Sequence, residues 1–391
     1  MKNILIIHHG QGVGGGLIAL LGLIEELKVN NRITVFCIFD GIAVSYIEKT
    51  GVKVITPNLR FYRGIYSIFT HSDATYFGVL QQLIKLKSLL TFFLSKYIFS
   101  VKALGAHLDD FDVVYLNSTF ISDWAYVAKK ANKKVVIHIR EPLSKRFLGY
   151  RIIRGNISKY CDWIIAISRD NASRVNLKAK TSIVYDPVVI KNRGGANEII
   201  VDDNYKYFTY VGGAQRIKGF EQLARSLDYL EDDIRIFFLG GHLAYNDSFL
   251  KRIIRFIINP YAIKHEKLQK KLIKSKHIIF IGLTDDVFSY YKKSMFLISP
   301  FSKPHASLPV LEAFYHHLPV VVSNVKGMDE LVNHTNGYFF KNKDYLDLAK
   351  TINMASKIGE EKYMSMRENS YKTYSSIRNN EIKIEQVLDN L

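Results

Sequence analysis

Strands alternating with helices over two successive halves predict an α/β protein built from two doubly wound, Rossmann-like domains. Three observations carry this. The chain has 391 residues, too many for one ordinary core. Its β-branched runs are apolar on both faces, as a parallel sheet covered by helices requires. A polar, glycine-containing break, "KNRGGANE" (191–198), is followed by a restart of the same pattern.

In the first half, "KNILIIHH", "RITVFCIF", "VKVIT", "FDVVYLNS", "KKVVIHIR", "CDWIIAIS" and "TSIVYDP" read as strands. Between the first two, Leu17, Leu20, Leu21, Ile24 and Leu27 recur at helical spacing. After the break, "KYFTYVGG", "IRIFFLGG", "HIIFIG", "MFLISP" and "PVVVS" repeat the pattern. These runs predict domains over 1–192 and 199–374, with a C-terminal helix at 375–391. Ligands of such sheets bind at the carboxyl ends of the strands. With two domains, the expected site is a cleft between them.

Composition is that of a globular protein, with 48% hydrophobic and 23% charged residues and 8 prolines, and it excludes long disorder. The start, "MKNILIIHHG", reads as a strand and not as a signal peptide. Cys37 and Cys161 lie in strand runs, as reduced core residues of a cytoplasmic protein would. A net charge of +18 favours anionic partners. Residues 81–102 mix Leu, Phe, Ile and Tyr with lysines and no acid. They read either as an interfacial helix against an anionic membrane or as a core helix with a solvated lysine face. No run of 18 apolar residues announces a membrane span. A second basic stretch, 249–277, is a candidate phosphate-facing surface. Neither stretch has an RNA-binding signature or a Cys/His finger, so no nucleic-acid partner is expected.

The loop "GQGVGGG" (10–16) joins the first strand to the first helix. It reads either as a tight turn or as a loop facing a phosphate or an acceptor, with Gly15 and Gly16 at the helix start. Gly10, Gly12 and Gly15 match G-x-G-x-x-G loosely, and the nearest acid for such a fingerprint is Asp40. In the second half, "YVGGAQRIKGF" ends a strand at Gly212 and Gly213, then sets Arg216 and Lys218 before a helix. That arrangement suits a diphosphate. Further on, Glu312 stands alone among Leu, Val, Pro and Phe in "SLPVLEAFYHHLPVVVSN". A buried carboxylate costs several kcal/mol unless a partner or ligand satisfies it.

Taken in order, "YVGG…KGFEQLARSL", "FIGLTDDVFSYYKKSMFLISPFSK", "SLPVLEAFYHHLPVVVSNVKGMDELV" and "NGYFF" resemble the C-terminal half of the retaining GT-B glycosyltransferases of family 4. "LIIHHGQGVGGG", "DVVYLNS", "VVIHIREP", "IIAISRD" and "IVYDPV" resemble their N-terminal half, so the likeness spans nearly the whole chain. The resemblance implies a GT-B fold and a nucleoside-diphosphate sugar as donor substrate, with no cofactor. It gives Glu312 the ribose hydroxyls and Lys218 the diphosphate. The backbone around Ser307, Leu308, Pro309 and Val310 would lie by the phosphates or sugar. The family's usual arginine position is Gly213 here, with Arg216 close by. Where the family often carries a second acid, eight residues before Glu312, this chain has Pro304, followed by His305, which is expected to supply a different sugar contact.

His138 matches the family's histidine near the reacting sugar, and His9, Arg140 and Glu141 are expected on the acceptor side. His316 and His317 are expected to pack or to face solvent. No His/Cys/Asp cluster has metal-ligand spacing and no D-x-D pair ends a strand, which implies metal-independent transfer. No obvious nucleophilic carboxylate presents itself, which suits the front-face route that the resemblance implies. The basic, aromatic-rich first half suggests a glycan or lipid-linked acceptor at the inner leaflet of the cell membrane, as in capsule or lipopolysaccharide assembly. Two other readings stay open. A sugar-nucleotide 2-epimerase would need additional acid/base carboxylates, for which Glu141 and Glu330 are the candidates. A non-catalytic, nucleotide-sugar-binding partner of a transferase would bind without turnover.

Overall fold

The computed structural model describes residues 1–57, 65–73, 80–188, 199–241 and 261–391, without the side chains of residues 80–85 and 147. The expected break at 191–198 and the first part of the basic stretch, 249–260, lie outside the described residues. The chain divides into two compact units. The first is Met1–Val189 together with Glu381–Leu391, and the second is Ile190–Asn380.

The first unit is built on a seven-stranded, all-parallel sheet in the order β3-β2-β1-β4-β5-β6-β7. Its strands are β1 (Asn3–His8), β2 (Arg32–Cys37), β3 (Lys53–Ile55), β4 (Val113–Leu116), β5 (Lys134–Ile139), β6 (Trp163–Ala166) and β7 (Thr181–Ile183). Both faces are covered, which is why the strands alternate so little. One face packs on the helix Gly15–Leu27, whose Leu17, Leu20, Leu21, Ile24 and Leu27 are all buried. The other buries Phe36, Phe92, Trp124, Ile137 and Ile164. Cys37 and Cys161 are buried free thiols, and burial holds the Cys37 thiol up at about 12.

The second unit has a six-stranded parallel sheet in the order β10-β9-β8-β11-β12-β13. The strands are β8 (Lys206–Val211), β9 (Ile234–Leu239), β10 (Ile278–Gly282), β11 (Phe296–Ser299), β12 (Val320–Ser323) and β13 (Gly337–Phe340). The last, GYFF, is too short to declare a period in the sequence. In each sheet the order reverses once, between β1 and β4 and between β8 and β11. These are the switch points at which connections leave in opposite directions and open a crevice.

The C-terminus departs from the single expected helix. The helix Glu360–Asn380 belongs to the second unit, and the chain then returns to the first. There the short helix Ile384–Asp389 buries Ile384, Val387 and Leu388 in the core shared with β1, β4 and the helix Gly15–Leu27. The Glu381 carboxylate accepts from the Tyr185 amide, and the Leu388 carbonyl accepts from the Lys2 ammonium.

The basic segment of the first half is the helix Leu80–Leu94, a π-helical turn Ser95–Phe99 and a last turn Ser100–Leu104. Ser88, Phe92, Ser95 and Phe99 face inward, whereas Leu86, Leu90, Phe93, Leu94, Tyr97, Ile98 and Val101 are exposed. Lys96 is a correction to the expected basic face. It is buried, donates to Asn156 Oδ1 at 2.7 Å and sits 4.5 Å from the Tyr160 ring centroid and 5.6 Å from that of Tyr126. Inserting one residue at the π turn lets this lysine point inward while the outer stripe stays apolar. By length and composition Leu86–His107 would suffice to cross a membrane, but its inward face is part of the core.

Leu388→Ala removes a side chain that is 1% exposed and leaves a cavity in the first unit's core. A loss of about 2–5 kcal/mol is expected, read as an earlier urea midpoint for the unfolding of that unit.

Candidate active site

In the second unit, the loop after β8 is pressed against the loops after β9 and β11. Gly213 has φ +55°, and a Cβ there would stand 2.4 Å from the Gly241 carbonyl oxygen. Gly219 has φ +81°, and its Cβ would lie 1.8 Å from the Pro300 carbonyl oxygen. Only glycine permits either approach. Ser302 ties the two loops together, its amide donating to the Ile217 carbonyl at 3.0 Å and its hydroxyl to the Arg216 carbonyl at 2.9 Å. The Tyr210 hydroxyl donates to the Gly213 carbonyl at 2.9 Å.

This stitching sets Lys218 beside the loop after β11. Its ammonium lies 5.0 Å from the Phe301 ring centroid, and the other partner of that ring is His305, stacked at 4.2 Å and 14°. Burial lowers the Lys218 pKa, opposed by the charge of Glu312. Burial also holds His305 neutral, at about 3, with Lys218 adding to the shift. Glu312, in the helix Leu308–Tyr315, is raised to about 7 by burial, with Lys218 and a hydrogen bond from Tyr291 acting against it. The Tyr291 hydroxyl is 3.5 Å from Glu312 Oε2, a weak contact for a carboxylate. Lys218 and Glu312 feel each other's charge yet form no direct salt bridge. Two desolvated opposite charges held apart suit a ligand carrying both phosphate and hydroxyl groups.

Ser307 is the N-cap of that helix but makes no side-chain cap bond; its Oγ faces Ser299 Oγ at 3.4 Å. Leu308 and Val310 are buried, and Pro309 has no N–H, so what this turn can offer a ligand is backbone and the helix dipole. Arg216 lays its guanidinium over the Tyr261 ring at 3.9 Å. His316 packs on Phe288 at 4.3 Å, and His317 stacks on Tyr371 at 4.4 Å.

The first unit gathers a different set at its own switch point. Gly15 and Gly16 open the helix Gly15–Leu27 behind an extended Gly14, and both are exposed with open space where a side chain would stand. The glycine that the loop requires is Gly10, whose Cβ would lie 2.7 Å from His8 Nε2. The match to a dinucleotide fingerprint is therefore not sterically grounded at Gly12 or Gly15. His9 is half-buried and lines a pocket of about 500 Å³ with Gln11, Phe39, Asp40, Tyr66 and Ile68.

His138, at the end of β5, is 1% exposed. Its Nδ1 is met by the Tyr115 hydroxyl at 2.7 Å and by Arg140 at 3.3 Å. Arg140 is also bonded to Asn117 and paired with Asp186, so its guanidinium is spent inside the unit and not at an acceptor surface. Glu141 is likewise committed, accepting from the Ser118 hydroxyl at 2.9 Å and the Thr119 amide at 3.0 Å. Of the expected acceptor trio only His9 lines the pocket. Tyr115, Asn117, Asp186, Tyr291 and Phe301 are partners that sequence reasoning missed. The fragments "DVVYLNS" and "IVYDPV" contain three of them, but nothing in a linear string assigns their contacts.

Residues 196–373 match the family model of the glycosyl transferases group 1. No curated protein sequence matches the chain. Among solved structures, the chain is similar to Anabaena HepE in complex with UDP and glucose, at 17% identity, with 100% of each chain covered and a TM-score of 0.71. It is similar to the lipopolysaccharide outer core galactosyltransferase WaaB, at 18% identity, with 97% of this chain and 98% of that chain covered and a TM-score of 0.60. TarM of S. aureus, in complex with UDP and α-GlcNAc-glycerol among other ligands, gives 12% identity, 100% and 98% coverage and a TM-score of 0.64. Residues 196–373 are thus similar to the glycosyl transferases group 1, and the chain as a whole shares with these solved structures a GT-B fold of two parallel α/β sheets.

Proposed function

We propose that this chain is a retaining, metal-independent glycosyltransferase that moves a sugar from a UDP-sugar to a glycan or lipid-linked acceptor in bacterial surface polysaccharide synthesis, working at the inner face of the cell membrane. The observation that carries the donor half is the separated Lys218–Glu312 pair at the β8/β11 switch point. In this reading the Glu312 carboxylate accepts from the ribose hydroxyls, and Lys218, with the start of the helix Leu308–Tyr315, neutralises the diphosphate. As the bond from the anomeric carbon to the phosphate oxygen breaks, UDP leaves with the electron pair. The acceptor hydroxyl attacks on the same face and its proton passes to the leaving phosphate. The family resemblance gives His138 the donor sugar and neutral His305 the contact that an acid often makes there. HepE holding UDP and glucose, and TarM holding UDP, favour uridine as the base. WaaB, a lipopolysaccharide outer core galactosyltransferase, favours a cell-surface glycan as acceptor.

Calorimetric titration with UDP, GDP, ADP and CMP tests the donor site. Binding of UDP and its loss in Glu312→Ala are expected. Absence of any nucleotide binding would sink this reading, whereas binding without turnover of any donor would move the chain to the non-catalytic class.

The pH dependence has a defined sign. The Glu312 pKa is raised to about 7, so the accepting carboxylate is the majority form only above that value. UDP affinity should fall about tenfold from pH 8 to pH 6, and Glu312→Gln should be weaker at pH 8 and lose this dependence.

For the membrane half, the exposed stripe Leu86, Leu90, Phe93, Tyr97 and Ile98 is edged by lysines, and residues 80–108 contain no acid. Such a face fits an anionic bilayer surface. Co-sedimentation with phosphatidylglycerol vesicles should be lost in Leu90→Glu/Tyr97→Glu and weakened in Lys87→Glu. Equal binding to phosphatidylcholine vesicles would contradict the electrostatic part.

A further inference from the structure

At the β1/β4 switch point a row of polar side chains crosses the sheet. Ile7, Leu116 and Ile137 stand in register on β1, β4 and β5, so the next residues, His8, Asn117 and His138, form one line. All three are buried, at 3%, 2% and 1% exposure. Tyr115 precedes Asn117 by two residues and so shares its face.

The hydrogen bonds along this row have only one consistent assignment. An arginine can only donate. Arg140 Nε donates to Asn117 Oδ1 at 2.8 Å, which fixes the amide so that its NH₂ meets His8 Nδ1 at 3.1 Å. His8 Nδ1 is therefore an acceptor, and its proton sits on Nε2. Arg140 Nη2 donates to His138 Nδ1 at 3.3 Å, and Tyr115 donates to the same atom at 2.7 Å. His138 Nδ1 is thus an acceptor as well, which again leaves the proton on Nε2. Asp186, paired with Arg140, keeps the guanidinium in place. Among the described residues neither Nε2 has a hydrogen-bond partner. Both Nε2 atoms are buried, that of His8 under Gly10.

We infer that Tyr115, Asn117 and Arg140 are positioning residues that lock His138, and His8 beside it, as neutral Nε2–H tautomers, so that His138 offers a ligand one N–H donor and no base. An imidazole held in this way selects oxygen acceptors, such as a sugar hydroxyl or a phosphate oxygen, and cannot take a proton from an attacking hydroxyl. The groups around the ring agree: burial and the Arg140 charge hold its pKa well below the usual histidine range, Tyr115 is un-ionised, and Asp186 faces Arg140. The ligand half of the inference rests on the donor-sugar reading above; the lock does not.

Nitrogen-15 spectra of histidine-labelled full-length protein read the tautomer directly, with His8→Gln and His138→Gln used for assignment. Both rings are expected as Nε2–H from mildly acidic to mildly basic pH. An Nδ1–H form, or an imidazolium at mildly acidic pH, would overturn the lock. Tyr115→Phe removes only the hydroxyl. It should let His138 populate the second tautomer or titrate, with the His8 signals unmoved as an internal control for folding; an unchanged His138 spectrum would remove Tyr115 from the mechanism. Adding UDP-glucose should shift His138 Nε2 and leave Nδ1 nearly still. If calorimetry records UDP-glucose binding that depends on Glu312 and Nε2 does not move, the ligand role of His138 is overturned while the donor site stands. If UDP-glucose does not bind at all, the donor-site reading fails and takes the ligand role with it, leaving the tautomer result to be judged alone.

Discussion

Everything in the second unit's site depends on a backbone resting on a backbone. The Cα of Gly219 sits where a methyl group would lie 1.8 Å from the Pro300 carbonyl oxygen. That contact draws the loop after β8 onto the loop after β11, across the one place where the sheet order reverses. Lys218, one residue earlier, is carried with it to the Phe301 ring, and Phe301 in turn holds His305. Any side chain at 219 would have to lever the loops apart, and the spacing between ammonium and carboxylate would change with them. The left-handed backbone adds about 1–2 kcal/mol against most other residue types, least against Asn and Asp.

The two switch points solve the same geometric problem with opposite electrostatics. In the second unit the charges stay unpaired, and the low-dielectric surroundings push each toward its neutral form. In the first unit they are consumed: Arg140 is paired with Asp186, and Glu141 accepts from Ser118 and Thr119. What is left over there is neutral and directional, a set of imidazole and hydroxyl groups whose proton positions are dictated by one arginine. On the proposed reading, a nucleotide diphosphate takes the charge that the second sheet offers and sugar hydroxyls take the orientation that the first offers.

Much of this was legible before any coordinates. The doubly wound halves follow from β-branched runs without alternation, and the buried stripe of the helix Gly15–Leu27 follows from its spacing. Lys218 and Glu312 were visible because a cation beside a glycine turn and a lone acid in an apolar run are both anomalies. Arg140 and Glu141 misled for the opposite reason. A charged residue after a strand looks the same in sequence whether it faces a ligand or a partner 23 or 46 residues away. Lys96 misled because a π turn shifts the helical phase by one residue, which an ideal 3.6-residue wheel cannot anticipate. The return of residues 381–391 to the first unit was invisible for a related reason, since an apolar triplet on a short helix does not say which core it joins.

That return has a consequence for how the protein is made. Synthesis runs from the N-terminus, and the first unit's sheet is complete by β7, at Ile183. Its core is not: Ile384, Val387 and Leu388 emerge only after the whole second unit has been translated. Until then one edge of the β1 face lacks its apolar cover, and the nascent first unit waits with a patch open to chaperones. The order of synthesis and the order of completion are therefore reversed, and the second unit, contiguous in sequence, is free to finish first.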